Sequence, residues 1–393
     1  MKTLPSKGFV FWPVGTGDST TIVINPNSLV VQVDVRQTAE SEDKDSPATP
    51  VIDELVRLLP KITLAGGVKK PYLALFVLTH PDQDHMLGFG DLLKRVHIGE
   101  IWHTPRIFRE FPSDLCDDAK TFRKEAHRRR DATIAVNGDP GSGNRVRVIG
   151  HDSIFQEDDY KKFPKEWRTI PGTPVTEVDG IECGQVFEAF IHGPFKDKDT
   201  QTRNNTSLAM QVRLTEGPGT GKGLFFGDRD YKKIKRIFDV TKEKGRGHYL
   251  EWNVMLTSHH CSKSVMYWKG PDEKEETFRK DIMDDIEASR LARHCIVASS
   301  HASFTDGDGD LPPHLKARKR YEEIVEQGWF VCTHEHPSKK QPEPIVFIVD
   351  QNGFRYERPA GKVEAATSVA AAVAAARGGD RPPREQVGFG ILK

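Results

Sequence analysis

The sequence has no long hydrophobic run and no segment that would tie it to a membrane. Of its 393 residues, 37% are hydrophobic, and no stretch reaches the roughly 20 apolar residues that a transmembrane helix needs. Residues 1–8 (MKTLPSKG) also lack the apolar segment that directs a chain to export. We therefore expect a protein without a membrane partner.

An excess of one charge and a cysteine framework are missing too. Lysine and arginine total 57, and aspartate and glutamate also total 57. No global field therefore attracts nucleic acid or a membrane surface, and any such attraction must come from local patches. The five cysteines are widely spaced and form no CxxC pair, which argues against a disulfide framework or a structural zinc knuckle. These absences predict a cytoplasmic protein.

Short apolar strands and amphipathic helices are present along most of the chain. The runs at residues 9–12, 20–24 and 29–34 predict an antiparallel start to a sheet, and residues 51–59 have apolar side chains at helical spacing. The continuous apolar run at 72–78 predicts a strand buried on both faces. Further strands are predicted at 186–191, 207–212, 223–226, 254–256, 295–298, 330–332 and 345–349, with helices at 275–293 and 315–327. This pattern predicts a layered α/β domain.

We assign residues 1–358 to that domain and treat the charged, irregular segment 104–180 as an insertion. The insertion either shapes a substrate site or is a solvated surface. Residues 359–393, which begin with an alanine-rich run, predict a loosely attached tail. Such a tail could be a removable or docking peptide, acted on by a protease or bound by a protein partner.

The densest chemical signal is the segment 80–85 (HPDQDH), directly after the buried strand at 72–78. It carries four metal-capable side chains, and His80 and Asp82 can face one ion while Asp84 and His85 reach a neighbouring position. The alternative is a solvated acidic turn with two incidental histidines. Two later apolar strands argue against it, because one ends at Asp228 and the other is followed by His259 and His260. Ligands at several strand ends converge at one edge of a sheet.

The combined pattern of HxDxDH at 80–85, then Asp228, then His259 resembles the metallo-β-lactamase fold hydrolases, whose loop is HxHxDH. More narrowly, it resembles the nuclease-like domain of ComEC-type DNA-uptake proteins. The segment VGTGDS at 14–19 matches their VGQGD element, NNTSL at 204–208 matches N-x-x-S-L, and HHCS at 259–262 matches HHGS. The resemblance covers residues 9 to 350, and it implies an αββα sandwich that carries out metal-dependent hydrolysis.

The sequence departs from this pattern at several positions. Asp82 replaces the middle histidine of the loop, and Asn204-Asn205 stands where these enzymes usually supply another. We expect two divalent ions. Because oxygen ligands favour harder ions, zinc and manganese are nearly equal candidates for these ions. His192 could fill the gap or be a histidine with no metal role. Cys261, where the pattern has glycine, could touch the metal or be a packed thiol.

We expect Asp228 to bridge the two ions, His80 and Asp82 to hold one, and Asp84, His85 and His259 to hold the other. A metal lowers the pKa of bound water from 15.7 to about 7. In the resembling families the aspartate at the position of Asp84 lies close to the attacking water, which makes it a candidate general base.

Weaker candidates surround this set. Asp18 and Asp34 lie at early strand ends and could orient ligands, although Asp18 could equally be a turn residue. His314 falls where the ComEC-type pattern has a histidine near the scissile phosphate, so it could protonate a leaving group or simply begin a helix. Further candidates for ligand support or substrate contact are Asn205, His260, His301 and Arg203.

Three functions follow from these expectations. The first is a nuclease or phosphodiesterase that acts on DNA or RNA, which makes nucleic acid the expected partner. The second is a hydrolase of small esters, thioesters or amides. The third is a metal-stabilised scaffold whose tail binds a partner.

Overall fold

The computed structural model describes residues 1–43, 46, 48–109, 115–196, 202–307 and 311–357. The predicted tail at 359–393 lies outside these residues. The helices are α1 (Val51–Leu58), α2 (Gln83–Met86), α3 (Phe89–Arg95), α4 (Arg106–Arg109), α5 (Asp117–Val136), α6 (Tyr231–Glu243), α7 (Lys280–Ala288) and α8 (Leu315–Glu323). None of these helices, within the described part of the chain, has the length and apolar character of a membrane span.

The first strands in chain order are β1 (Gly8–Phe11), β2 (Thr20–Asn25), β3 (Leu29–Val33), β4 (Lys61–Thr63), β5 (Lys69–Val77), β6 (His97–His103), β7 (Arg145–Ile149) and β8 (Arg168–Thr169). They are followed by β9 (Pro174–Val175), β10 (Glu177–Val178), β11 (Ile181–Glu182), β12 (Phe187–Gly193), β13 (Ala209–Glu216), β14 (Gly219–Phe225) and β15 (Trp252–Leu256). The last are β16 (Tyr267–Trp268), β17 (Thr277–Phe278), β18 (Arg290–Ala298), β19 (Phe330–Cys332), β20 (Pro337–Ser338), β21 (Gln341–Pro342), β22 (Ile345–Asp350) and β23 (Gly353–Glu357).

Two large sheets organise these strands. The first has the order β23-β22-β1-β2-β3-β5-β6-β7-β8, with β4 added beside β5, and the second has the order β19-β18-β15-β14-β13-β12-β9. β1, β2 and β3 are antiparallel, as predicted. β3, β5 and β6 are parallel in the first sheet, and β14, β15 and β18 are parallel in the second. Parallel strands place their carboxyl ends at the same edge of each sheet.

Three apolar layers hold the sheets and helices together. Phe11, Val77 and Phe225 are among the buried side chains between the two sheets. The outer face of the first sheet packs on helices α1, α3 and α5, and the outer face of the second packs on α6, α7 and α8. The αββα sandwich that was predicted is therefore the observed arrangement.

Residues 104–180 contain more regular structure than predicted. Helix α5 buries Ala119, Phe122, Ala126, Arg129 and Thr133, a spacing of three and four residues that places them on one face. The guanidinium of Arg129 donates to the carbonyl oxygens of residues 98 and 99, at 2.9 and 3.1 Å. β7 and β8 extend the first sheet. Helix α5 and strands β7 and β8 of this segment thus pack on or extend the first sheet, and its assignment as an insertion stays a prediction.

Candidate metal centre

The site lies where the carboxyl ends of β3, β5, β14 and β15 approach the turn between β1 and β2. Asp34 follows β3, His80 and His85 follow β5, and Asp228 follows β14. His260 lies in a short 3₁₀ helix after β15. The site therefore takes residues from both sheets of the sandwich.

Four side chains form a tight cluster there. Asp18, His85, Asp228 and His260 are all buried, and one possible ligand atom from each lies within 4.8 Å of the others. The Nε2 atom of His85 is 3.3 Å from Oδ1 of Asp228, and Nδ1 of His260 is 3.4 Å from Oδ1 of Asp18. Carboxylate oxygens and imidazole nitrogens at these separations can surround one divalent cation.

The hydrogen bonding of this cluster tests whether a metal fits. Nε2 of His85, Nδ1 of His260, Oδ1 of Asp18 and Oδ1 of Asp228 are buried and make no hydrogen bond within the described residues. A buried polar atom left without a partner costs about 1–3 kcal/mol. A cation bound among these atoms would satisfy all four, so the cluster fits a metal ion.

The charges of the cluster also favour a bound cation. Burial alone would lower the pKa values of His85 and His260, but the surrounding carboxylates raise both well above the ordinary histidine value. Asp228 is the largest of these carboxylate influences on each ring. Burial would raise the pKa of Asp228, yet the neighbouring histidines, His260 first, hold that pKa well below its ordinary value. A site with this much carboxylate charge favours a cation.

Asp34 orients His85. Its Oδ2 atom lies 2.7 Å from Nδ1 of His85, while its two oxygens also accept hydrogen bonds from the backbone N–H and the hydroxyl of Thr79, at 2.8 and 2.5 Å. A hydrogen bond at Nδ1 leaves Nε2 of the ring to face the cluster. The role predicted for Asp34, the orientation of a metal ligand, stays a prediction.

The glycine-rich turn brings Asp18 into the cluster. The backbone N–H of Asp18 donates to the carbonyl oxygen of Asp84 at 2.9 Å. A Cβ atom on Gly17 would lie 2.6 Å from that same oxygen and 2.2 Å from Cδ of Arg36. Because only glycine permits so close an approach, the VGTGDS motif places Asp18 in contact with the loop at residues 80–85. From the sequence, Asp18 was expected either to orient ligands or to be a turn residue. The structure adds Asp18 itself to the possible metal ligands.

A second group of predicted ligands also lies next to Asp228, and Nε2 of His80 in this group is buried without a hydrogen bond within the described residues. Nε2 of His80 is 3.6 Å from Oδ2 of Asp82 and 3.7 Å from Oδ2 of Asp228. Nε2 of His259 is 3.8 Å from Oδ2 of Asp228. The guanidinium of Arg203 donates to Oδ1 of Asp82. This second group thus already has a fixed positive charge beside it.

His259 was predicted to bind the same ion as Asp84 and His85. In the structure, His260 rather than His259 lies beside these two residues. Nε2 of His260 is 3.0 Å from Oδ2 of Asp84, and its ring centroid is 5.1 Å from that of His85. The backbone is strained at this point, because His259, His260 and Cys261 all have left-handed φ values of 50°, 52° and 68°. Such a conformation costs about 1–3 kcal/mol for each non-glycine residue and is concentrated at functional sites.

The other candidates are more distant or have structural contacts. Cys261 packs in the outer core beside α6 and α8, and burial raises the pKa of its thiol, which favours the packed-thiol alternative. The side chain of His192 is buried with Nε2 2.9 Å from the carbonyl oxygen of Tyr249, and burial lowers its pKa to about 4. It therefore has a hydrogen-bonding role in the fold.

His314, His301 and Asn205 were the weaker candidates for catalysis or substrate contact. His314 is 3% exposed at the start of α8, where its backbone N–H donates to the carbonyl oxygen of Cys261 at 3.1 Å and its Nδ1 accepts from the N–H of Lys263 at 3.2 Å. His301 is exposed, and its ring is 5.1 Å from that of His334. Asn205 lies in the 3₁₀ helix Arg203–Thr206. The roles assigned to these three residues stay predictions.

Among solved structures, the chain is similar to several metallo-β-lactamase fold proteins. It shares 12% identity with YhfI of Bacillus subtilis over 86% of this chain and 99% of that one, with a TM-score of 0.36. A diphosphatase of the PhnP family has 8% identity over 84% of this chain and 83% of its own, with a TM-score of 0.33. The Rm3 metallo-β-lactamase has 12% identity over 73% and 90%, with a TM-score of 0.33.

No family model and no curated protein matches the chain. Because the TM-scores are low, the class of the fold depends on the sheet order, the layers and the site described above. These define a four-layered α/β sandwich with a buried carboxylate and histidine cluster at the ends of its strands.

Proposed function

We propose that this protein is a metal-dependent hydrolase of the metallo-β-lactamase type that cleaves phosphodiester bonds in DNA or RNA. The observation that carries the proposal is the cluster of Asp18, His85, Asp228 and His260, whose unpaired buried atoms face one another. Two of these residues belong to the motifs shared with ComEC-type nuclease-like domains, since Asp18 ends VGTGD and His260 lies in HHCS. The chain has the means to hold a cation where a phosphate could bind.

The bound ion would supply an activated water and polarise a phosphoryl oxygen. The protein supplies orientation. Asp34 fixes the ring of His85 through the contact at Nδ1, and the strained turn at residues 259–261 fixes His260. Asp84 has a side chain that is 34% exposed, and although burial opposes it, His85 and His260 lower the pKa of Asp84. Asp84 is thus ionised at the mouth of the site, where its carboxylate can accept a hydrogen bond from the attacking water and orient it.

The carboxylate content of the site supports a phosphodiester substrate. Asp18, Asp84 and Asp228 all lie within reach of His260, so the ligand set contains more oxygen than one built from imidazoles. Oxygen ligands favour ions such as Mg²⁺ and Mn²⁺, which bind phosphate oxygens readily. Zn²⁺ and Mn²⁺ are the ions proposed for the native centre.

The test is an activity assay of the full chain with Zn²⁺ or Mn²⁺ on single-stranded DNA, duplex DNA, RNA, a thioester and a β-lactam. We expect nucleic acid cleavage, and we expect Asp84→Asn to lower kcat by about 10²- to 10⁴-fold, as for other residues that handle the reacting water. Asp117→Asn, which changes a fully exposed carboxylate on α5, serves as the matched control and should retain full activity. Hydrolysis of the thioester or lactam with intact nucleic acid would refute the substrate class, and no hydrolysis of any of these substrates by the metal-loaded wild type would favour a scaffold.

A further inference from the structure

Arg203 lies at the metal centre as a fixed positive charge. Its guanidinium donates to Oδ1 of Asp82, and the two side chains are 16% and 29% exposed. The 3₁₀ helix that carries Arg203 is anchored, because the hydroxyl of Thr206 donates to the carbonyl oxygen of Arg203 at 2.7 Å. The backbone N–H of Leu208 donates to the carbonyl oxygen of Thr79 at 3.0 Å, which joins this segment to the loop that begins at His80.

The side chains around Asp228 form two groups, a first side and a second side, that differ in charge. On the first side, Asp18, Asp34 and Asp84 surround His85 and His260 and leave an excess of negative charge. The second side consists of His80, Asp82 and His259, which offer one carboxylate of their own, and Arg203 already pairs with it. Asp228 contacts both groups, since its Oδ2 lies 3.5 Å from Nε2 of His260 and 3.7 Å from Nε2 of His80. Within the described residues, one group of four has ligand atoms that all lie within 4.8 Å of one another, and it joins Asp228 to Asp18, His85 and His260 of the first side.

A divalent cation on the second side would lie next to the guanidinium. Like charges repel strongly where side chains are partly buried, since the effective dielectric constant is well below that of water. Asp82 can balance one positive charge, and its partner is in place. The second ion expected from the sequence pattern does not fit this side of the centre.

We propose that the centre binds one divalent cation, at Asp18, His85, Asp228 and His260, and that the guanidinium of Arg203 takes the place of the second ion. Its planar fork matches two phosphate oxygens. Arg203 would contact a nonbridging oxygen of the scissile phosphate from its position beside Asp82. The phosphate contact rests on the proposed function, whereas the number of ions does not.

The number of ions is measured without substrate. The full chain is stripped with a chelator, equilibrated with excess Zn²⁺ or, separately, Mn²⁺, passed through a desalting column and analysed for metal per chain. We expect one ion in the wild type and one in Arg203→Lys, which keeps the charge. Arg203→Ala removes the charge and frees Asp82, so we expect a second, weaker ion in that variant.

Arg213→Ala is the matched control, because Arg213 also lies next to a carboxylate, with its Nε 3.5 Å from Glu188 on β12, away from the centre. It should bind one ion. Two ions in the wild type would overturn the proposal, and so would a single ion in Arg203→Ala, since the guanidinium would then not be what excludes the second.

The role toward phosphate is tested with bis(p-nitrophenyl) phosphate under one bound equivalent of metal. We expect kcat/KM of Arg203→Ala to fall about 10²- to 10³-fold, as on loss of other preorganised donors to a reacting oxygen, with partial recovery on addition of free guanidinium. Unchanged kcat/KM would overturn the phosphate contact. If the wild type cleaves no phosphodiester at all, the proposed function fails while the metal count still decides the one-ion centre.

Discussion

Asp34 illustrates at the scale of one residue how the sheet determines the site. It follows β3 in a left-handed conformation with φ of 53°, and it is fully buried. Burial raises the pKa of this carboxyl, while the contact with His85 acts in the opposite direction. The buried carboxylate binds Thr79 and His85 together, so the loop after β5 is held in register with the end of β3.

His103 is a second buried ionisable residue, at the end of β6 and outside the metal centre. Its ring centroid lies 6.2 Å from that of Phe108 and 5.8 Å from that of Phe122, and its Nδ1 atom makes no hydrogen bond among the described residues. Burial, with a smaller contribution from His127, lowers the pKa of His103 to about 3. The folded core therefore favours the neutral form of the His103 ring.

This residue predicts a loss of stability in acid. A histidine whose pKa is lower in the folded state contributes stability that is present above its unfolded pKa of about 6.5 and is lost as the pH falls toward the folded value. Between pH 6.5 and 5 the loss from His103 alone should be about 2 kcal/mol, at about 1.4 kcal/mol per pH unit. Urea unfolding of wild type and His103→Phe at several pH values measures it. Parallel pH dependence in the two proteins would contradict the assignment, whatever their absolute stabilities.

At the scale of elements, the turn after β15 carries the strained backbone of the site. The hydroxyl of Ser258 donates to the carbonyl oxygen of Gly227 at 2.6 Å. At the start of α8, the backbone N–H of His314 donates to the carbonyl oxygen of Cys261, the last residue of the turn, at 3.1 Å. The side chain of His314 accepts from the N–H of Lys263 at 3.2 Å. These contacts make His314 a candidate positioning residue for His260.

Substitution of His314 separates positioning from proton transfer. The side-chain oxygen of asparagine can replace Nδ1 as the acceptor, so His314→Asn should keep activity within a few-fold and leave the pH profile of kcat unchanged. His314→Ala leaves a buried N–H without this partner and should lower the free energy of unfolding by about 1–3 kcal/mol. Loss of the alkaline limb of the pH profile in both variants would instead identify His314 as the general acid predicted from the sequence.

At the scale of the whole molecule, the candidate metal centre takes its residues from both sheets. Asp18 and His85 come from the first sheet, and Asp228 and His260 come from the second. An ion bound by all four would hold together two layers that otherwise meet through apolar packing. Metal binding should therefore stabilise the fold.

The size of this stabilisation follows from mass action. An ion that binds only the folded chain stabilises it by about 2.7 kcal/mol when its free concentration is a hundredfold above Kd. Thermal unfolding of chelator-treated protein with and without Zn²⁺ should show a rise in Tm for the wild type. Asp228→Asn should show little change, because it removes the carboxylate at the centre of the cluster. An equal rise in the variant would locate the bound ion elsewhere.

The local sequence determined the strands and the position of the site. The run at 72–78 is the buried β5, and residues 254–256 lie in β15, because continuous apolar segments can only be accommodated inside the sandwich. His80 and His85 follow β5 and Asp228 follows β14, another buried strand, and the ends of these strands bring the three side chains together. Helix α5 was missed because charged residues outnumber the apolar ones that mark its buried face.

Tertiary structure alone decided which side chains meet. His259 and His260 are adjacent in the sequence, so no local pattern shows which of them reaches Asp84. In the structure, a left-handed turn directs His260 toward Asp84. Arg203 reaches Asp82 across 121 residues of chain, and Asp18 enters the cluster because Gly17 permits a close backbone approach. Periodicity is a property of consecutive residues, whereas a ligand set and its charge balance depend on contacts between distant segments, which the packing of two sheets creates.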